Sequence, residues 1–134
     1  MKLVKLIEFP YLKERNGDLV VVEGDIIPFN VSRVFTVRAS KGSVRGEHAH
    51  RHCSQLLICT NGAIEVKCDD NRITDTYVLD KANFGLFIPP GIWGYQKYIE
   101  ENTTLTVLCD LPYEEADYIR NYNDFKLFSN QIIG

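Results

Sequence analysis

No apolar run in this chain approaches the roughly 20 residues that a membrane-spanning helix needs. Basic charge is not in excess: 15 Lys and Arg stand against 18 Asp and Glu, a net −3, so there is no electrostatic footprint for nucleic acid. The cysteines, Cys53, Cys59, Cys68 and Cys109, contain no C-x-x-C pair, which argues against a zinc knuckle. Cys59 and Cys109 lie in apolar runs and read as small buried hydrophobes. A signal peptide is not expected either, because Glu8 interrupts the apolar start and no small-residue cleavage site follows. Four free thiols in a reducing cytoplasm are therefore expected. Repeats, low-complexity tracts and linkers are also missing, so residues 1–134 read as one domain, long enough to fold on its own core.

What is present is a series of short β-type runs separated by turn residues. Leu19–Glu23, Val31–Arg38, Leu56–Thr60, Ala63–Cys68, Thr74–Leu79, Phe84–Ile88, Ile92–Ile99 and Thr103–Leu108 are rich in branched and aromatic residues. Arg15-Asn16-Gly17-Asp18, Asn61-Gly62, Asp69-Asp70-Asn71 and Pro89-Pro90-Gly91 punctuate them. Residues 3–9 suit an edge strand. Regular spacing of short strands predicts an all-β sandwich or barrel. One helix is expected, over Tyr113–Tyr122, with Pro112 near its start and Glu114, Glu115 and Asp117 at its positive end.

Histidine is scarce and concentrated. All three, His48, His50 and His52, fall within Gly42–Gly62 at alternate positions, which on a strand places them on one face. His48 and His50 are expected to line a site inside the barrel, and His52 either its mouth or the surface. Gly42, His48, His50, position 55 and Gly62 fall on the spacing of the first cupin motif, and Pro89–Gly94 fits the frame of the second. Two expected metal ligands are replaced, since Gln55 stands where the motif has glutamate and Gly94 where it has histidine. Two imidazoles fall short of the three protein ligands typical of a catalytic metal. The expectation is a cupin without metal or cofactor, whose histidines do acid–base work.

Other polar residues have two readings each. Arg45 has the opposite parity to His48, so it is either solvated or turned inward by a bulge at Gly46. Arg33 and Arg38 have opposite parities on the preceding strand, and an inward one would suit a phosphate. Trp93, Tyr95 and Tyr98 are either core or an apolar wall for a sugar or base. Gln55 is a candidate substrate contact.

Taken together, Arg45-Gly-Glu-His-Ala-His50, the Asp69-Asp70 turn, Ile88-Pro-Pro-Gly-Ile-Trp93 and Tyr113–Phe125 resemble the dTDP-sugar 3,4-ketoisomerases over about residues 5–128. The resemblance implies a single cupin jelly-roll barrel with a short C-terminal helix. It implies a metal-free cytoplasmic homodimer with exchanged N-terminal strands. It implies transfer of the keto group of dTDP-4-oxo-6-deoxyglucose from C4 to C3, ahead of an aminotransferase making 3-amino sugars. It carries catalytic roles onto His48, His50 and Arg45. Substrate binding is expected at Arg33, Arg38, Gln55, Trp93 and Tyr95. The family's tyrosine before the histidine strand has no counterpart in Arg33-Val-Phe35-Thr36.

The chemistry agrees with the residues. The shift needs loss of the C3 proton, an enediol, and a proton at C4, which two imidazoles on one face can serve. Arg45 or Gln55 is a candidate donor to the enediolate. The competing readings are a dTDP-sugar 3,5-epimerase, a metal-dependent cupin such as a dioxygenase, and a non-catalytic sugar-nucleotide-binding cupin. No nucleic acid or membrane partner is expected.

Overall fold

The computed structural model describes residues 3–133. In chain order the strands are β1 (Lys5–Glu8), β2 (Tyr11–Glu14), β3 (Gly17–Val20), β4 (Arg33–Ala39), β5 (Val44–His50), β6 (Gln55–Asn61) and β7 (Ile64–Asp69). They continue with β8 (Thr74–Leu79), β9 (Phe84–Ile88), β10 (Trp93–Tyr98), β11 (Thr103–Cys109) and β12 (Tyr118–Ile119), and the chain closes with helix α1 (Tyr122–Ile133). Two five-stranded antiparallel sheets, ordered β1-β9-β6-β11-β4 and β12-β5-β10-β7-β8, pack face to face in the cupin jelly-roll arrangement. The hairpin β2–β3 is a separate two-stranded sheet.

Alternation explains most of the burial. β4 alternates half-buried and exposed residues, and β7 alternates buried and half-buried ones, as strands with one face on a core do. The core between the sheets gathers Leu57, Val66, Leu86, Tyr98, Leu105 and Val107 among others. β6 is buried from Gln55 through Cys59. Its other face, Leu56 and Ile58, lies under Phe9 and neighbouring side chains of the N-terminal segment, so its apolar run is continuous rather than alternating.

The helix is displaced from its expected position. Tyr113–Tyr122 forms a 3-10 turn at Glu115–Asp117 and then β12, which pairs Tyr118 with His50 and Ile119 with Ala49. Cross-strand pairing and the engagement of Asp117 by β5 override the acidic helix-start pattern. The helix starts later, where the Asn121 side chain accepts from the Asp124 N–H at 3.0 Å. It buries Phe125 and Ser129. Phe125 packs with Ile119, Trp93 and Ala49, so the helix covers the outer side of the histidine sheet. Leu19–Glu23 is also shorter as a strand than expected, ending at Val20.

Candidate active site

β5 delivers the histidines. Ala49 is fully buried against the outer layer, so His48 and His50 on either side of it face into the barrel. Their ring centroids are 5.0 Å apart and the planes lie at 88°. His52 is not with them: the strand ends at His50, and the His52 side chain is exposed while its backbone N–H donates to Asp117 Oδ1 at 2.6 Å.

The inward turn of Arg45 depends on Gly46. Opposite β10, His48 pairs with Gly94 and Arg45 with Gln96, so Gly46 and Glu47 together face the single residue Tyr95. This is a β-bulge, and Gly46 takes φ +76°, a conformation that L side chains rarely adopt. A Cβ here would also collide with the Gln96 amide. The extra residue reverses the parity, and Arg45 joins His48, Gln55, Gln96 and Tyr98 around a cavity of about 220 Å³. A smaller recess reached past His48 and Gln55 is lined by His50, Cys53 and Gly94.

Asp117 is the residue that organises His50. Its Oδ2 lies 2.8 Å from His50 Nδ1, with both side chains buried. Burial alone would raise the Asp117 pKa, but hydrogen bonds from His50 and from the backbone N–H groups of His52 and Cys53 hold it below the usual value. An ionised carboxylate only accepts, so Nδ1 of His50 carries the proton and Nε2 carries the lone pair. That Nε2 is buried and has no hydrogen-bond partner among the described residues. Burial, offset in part by Asp117, pushes the His50 pKa below its ordinary value. His48 is lowered to about 4 by burial, then by His50 and Arg120. Both rings are therefore neutral near pH 7, the state in which an imidazole nitrogen can accept a proton.

Tyr118 covers the pair. Its ring centroid is 4.4 Å from that of His50 and 5.1 Å from that of His48. Asp117, Tyr118 and Arg120 all come from the segment expected to be helical. The tail pattern Tyr118-Ile-Arg120 contributes to the family resemblance. A two-residue strand, however, has no periodicity that would show which side chains it turns inward.

The other expected residues divide. Gln55 lines the cavity and donates from Nε2 to Cys109 Sγ at 3.6 Å. Arg33 is half-buried on the inner face of β4, where its Nη2 donates to Cys109 Sγ at 3.4 Å and its guanidinium lies over Phe35 and Tyr113. Three residues expected to bind substrate lie outside the cavity. Arg38 is on the outer face of β4, donating to Thr104 Oγ1 at 3.3 Å. Trp93 and Tyr95 alternate with the inward Gly94 and Gln96 and so project from the outer face of β10, Trp93 against Tyr122 and Phe125, and Tyr95 beside Lys67. At Gly94 a Cβ would collide with the Lys67 carbonyl, so this backbone leaves no room for a fourth motif ligand. Among the described residues, a ligand-bearing cluster is formed by His50, Cys53 and Asp117. An ion there would have to displace the His50–Asp117 hydrogen bond.

A cupin barrel with a carboxylate-backed imidazole and a second imidazole in its cavity belongs to a class of sites able to exchange protons with a bound small molecule. Comparison with known proteins narrows this class. Residues 2–130 match the family described as "FdtA: WxcM-like, C-terminal". The TDP-4-oxo-6-deoxy-alpha-D-glucose-3,4-oxoisomerase of Aneurinibacillus thermoaerophilus is 35% identical over 130 residues, covering 96% of this chain and 94% of that one. The crystal structure of QdtA, a sugar 3,4-ketoisomerase from Thermoanaerobacterium thermosaccharolyticum in complex with TDP, superposes with a TM-score of 0.94 at 31% identity, covering 100% of both chains. A variant of the same enzyme, in complex with TDP-4-keto-6-deoxyglucose, superposes with a TM-score of 0.93 at 31% identity, covering 98% of this chain and 96% of that one. The chain belongs to the FdtA family of sugar-nucleotide 3,4-ketoisomerases.

Proposed function

We propose that this protein is a TDP-4-oxo-6-deoxyglucose 3,4-ketoisomerase of deoxysugar biosynthesis, and that His50 is its base. The observation that carries the assignment of the base is the 2.8 Å contact between His50 Nδ1 and Asp117, which leaves Nε2 as the accepting nitrogen. His50 Nε2 takes the proton from C3, and the imidazolium that forms is stabilised by the adjacent carboxylate. The C3–C4 enediolate then takes a proton at C4 from the His50 imidazolium, which leaves the ketone at C3 and returns the base to its neutral form. His48, 5.0 Å away and nearly perpendicular, is placed to exchange the hydroxyl proton between O3 and O4. Arg45 supplies fixed positive charge to the enediolate.

The same reading includes a homodimer with exchanged N-terminal strands. Its support is the β2–β3 hairpin, which stands apart from both main sheets and leaves Tyr11, Leu12 and Leu19 45%, 51% and 45% exposed. It also includes a cytoplasmic location, which suits four free cysteines. Among the described residues no helix is long and apolar enough to cross a membrane.

The test is incubation with TDP-4-oxo-6-deoxyglucose followed by proton NMR. A 3-keto sugar nucleotide is expected. Binding without any new product would instead identify a sugar-nucleotide-binding cupin, and inversion at C5 an epimerase.

A further inference from the structure

The barrel carries a second donor set beside the cupin motif positions. His50 Nε2 is buried and without a hydrogen-bond partner among the described residues, and it belongs to a side chain in the recess that Cys53 also lines. One ligand atom from each of His50, Cys53 and Asp117 lies within 4.8 Å of the other two, and the three residues are 6%, 2% and 7% exposed. Gln55 and Gly94, the replaced motif positions, take no part in this set. Cys59, Cys68 and Cys109 are also free and buried, but Cys53 is the thiol that joins the cluster.

The chemistry of the set selects its ion. Sulfur, imidazole nitrogen and carboxylate oxygen are the donors of zinc sites, and three of them beside an open fourth position is a usual arrangement. Mg2+ and Ca2+ ask for about six or more oxygen ligands, a different donor set from this one. Charge agrees with this choice. Asp117 is held in its anionic form, Cys53 becomes anionic when it gives up its thiol proton to solvent, and the imidazole is neutral. A divalent ion therefore makes the buried group neutral as a whole, which limits the cost of taking it out of water. Donor atoms around a tetrahedral Zn2+ stand about 3.3–3.6 Å apart, so closing on the ion takes side-chain movements of about an ångström. The way in is the larger cavity, which shares Gly46, His48, Gln55 and Gln96 with the recess.

Coordination by all three residues breaks the Asp117–His50 hydrogen bond. An ion on Nδ1 leaves the ring's proton on Nε2, and an ion on Nε2 takes the lone pair itself. In both cases the nitrogen that accepts the C3 proton is occupied. We propose that His50, Cys53 and Asp117 form a site for a thiophilic divalent cation, Zn2+ in particular, and that its binding switches the enzyme off. The binding stands on the donor geometry, and the inhibition rests on the reading of His50 as the base.

The experiment titrates the chelator-treated protein with Co2+, a spectroscopic stand-in for Zn2+, and follows turnover of TDP-4-oxo-6-deoxyglucose as Zn2+ is added. Co2+ is expected to raise a near-ultraviolet thiolate-to-cobalt charge-transfer band, which Zn2+ removes by displacement. Turnover is expected to be lost in step with Zn2+ occupancy and restored by a chelator. Cys53→Ala and Cys53→Ser are each expected to lose the band. Zn2+ inhibition of each, read against that variant's own metal-free rate, is expected to weaken at least ~100-fold, the top of the range for losing an outer-shell partner. A parent protein with no such band overturns the site, as do a band and inhibition that persist in both Cys53 variants. A Cys53-dependent band with turnover unchanged at full occupancy overturns the inhibition, and with it His50 as the base. A metal-free parent with no turnover overturns the ketoisomerase reading itself, and the band then judges the site alone.

Discussion

Asp117 Oδ2 accepts a hydrogen bond from His50 Nδ1 at 2.8 Å, and Asp117 Oδ1 accepts from the backbone N–H just past the end of the same strand. The carboxylate therefore fixes both the tautomer of the imidazole and the path of the chain that carries it. Asp117→Asn would break the first function while keeping the size of the side chain. Turnover is expected to fall at least ~10-fold with dTDP affinity nearly unchanged, because the lost interaction strengthens as His50 becomes charged. Unchanged turnover would make Asp117 a purely structural residue.

On the proposed mechanism the two imidazoles have separable tasks. His48→Asn and His50→Asn are each expected to fold, to bind dTDP, and to lose ~100-fold or more in turnover, the low end of what general acid–base catalysis contributes. Steady-state kinetics with a dTDP titration beside them would check this. Turnover within a few-fold of the parent in both variants would return the histidines to a structural role.

On the proposed mechanism Arg45 acts through its place beside the bulge. Arg45→Lys keeps the charge and loses the planar fork, so a fall in turnover of about 10-fold or more is expected. Gly46→Ala should be worse, since it meets both the positive φ and the Gln96 amide. A stability loss on the order of 1 kcal/mol or more is expected on denaturant unfolding, together with loss of activity. A Gly46→Ala protein with parental stability and rate would mean that the bulge is not needed.

Acid should weaken the fold through the buried histidines. His48 is held down to about 4 by burial first, then by His50 and Arg120, and His50 is also lowered, by burial. Below the ordinary histidine value of ~6.5 the unfolded chain takes up protons that the folded chain refuses. The contribution of the neutral rings is therefore fully present above ~6.5 and is lost as the pH falls from there toward the lowered folded values. Thermal midpoints should drop between pH 7 and pH 5, and drop less in His48→Asn. An equal drop in that variant would contradict the assignment.

Much of this was legible in the residues. Short β-type runs with regular turn signals pointed to the barrel, and alternate histidines pointed to one shared face. The bulge was visible as a condition on Gly46 before its register was known. What escaped was set by pairing between distant segments. Asp117, Tyr118 and Arg120 reach the site only because a two-residue strand binds β5, and the acidic residues of that segment look locally like a helix start. Trp93 and Tyr95 flank Gly94 in sequence, yet strand alternation turns them outward, while Gly94, Gln96 and Tyr98 face in.

The central claim is that His50, backed by Asp117, removes the C3 hydrogen. Proton NMR of TDP-4-oxo-6-deoxyglucose in D2O, with the parent protein and with His50→Asn, measures this directly. The parent is expected to eliminate the C3 proton signal and form the 3-keto sugar while the C5 proton is retained. The His50→Asn protein is expected to leave the C3 signal intact over the same period. Loss of the C3 signal at the parental rate in His50→Asn, or exchange confined to C5 in the parent, would contradict it.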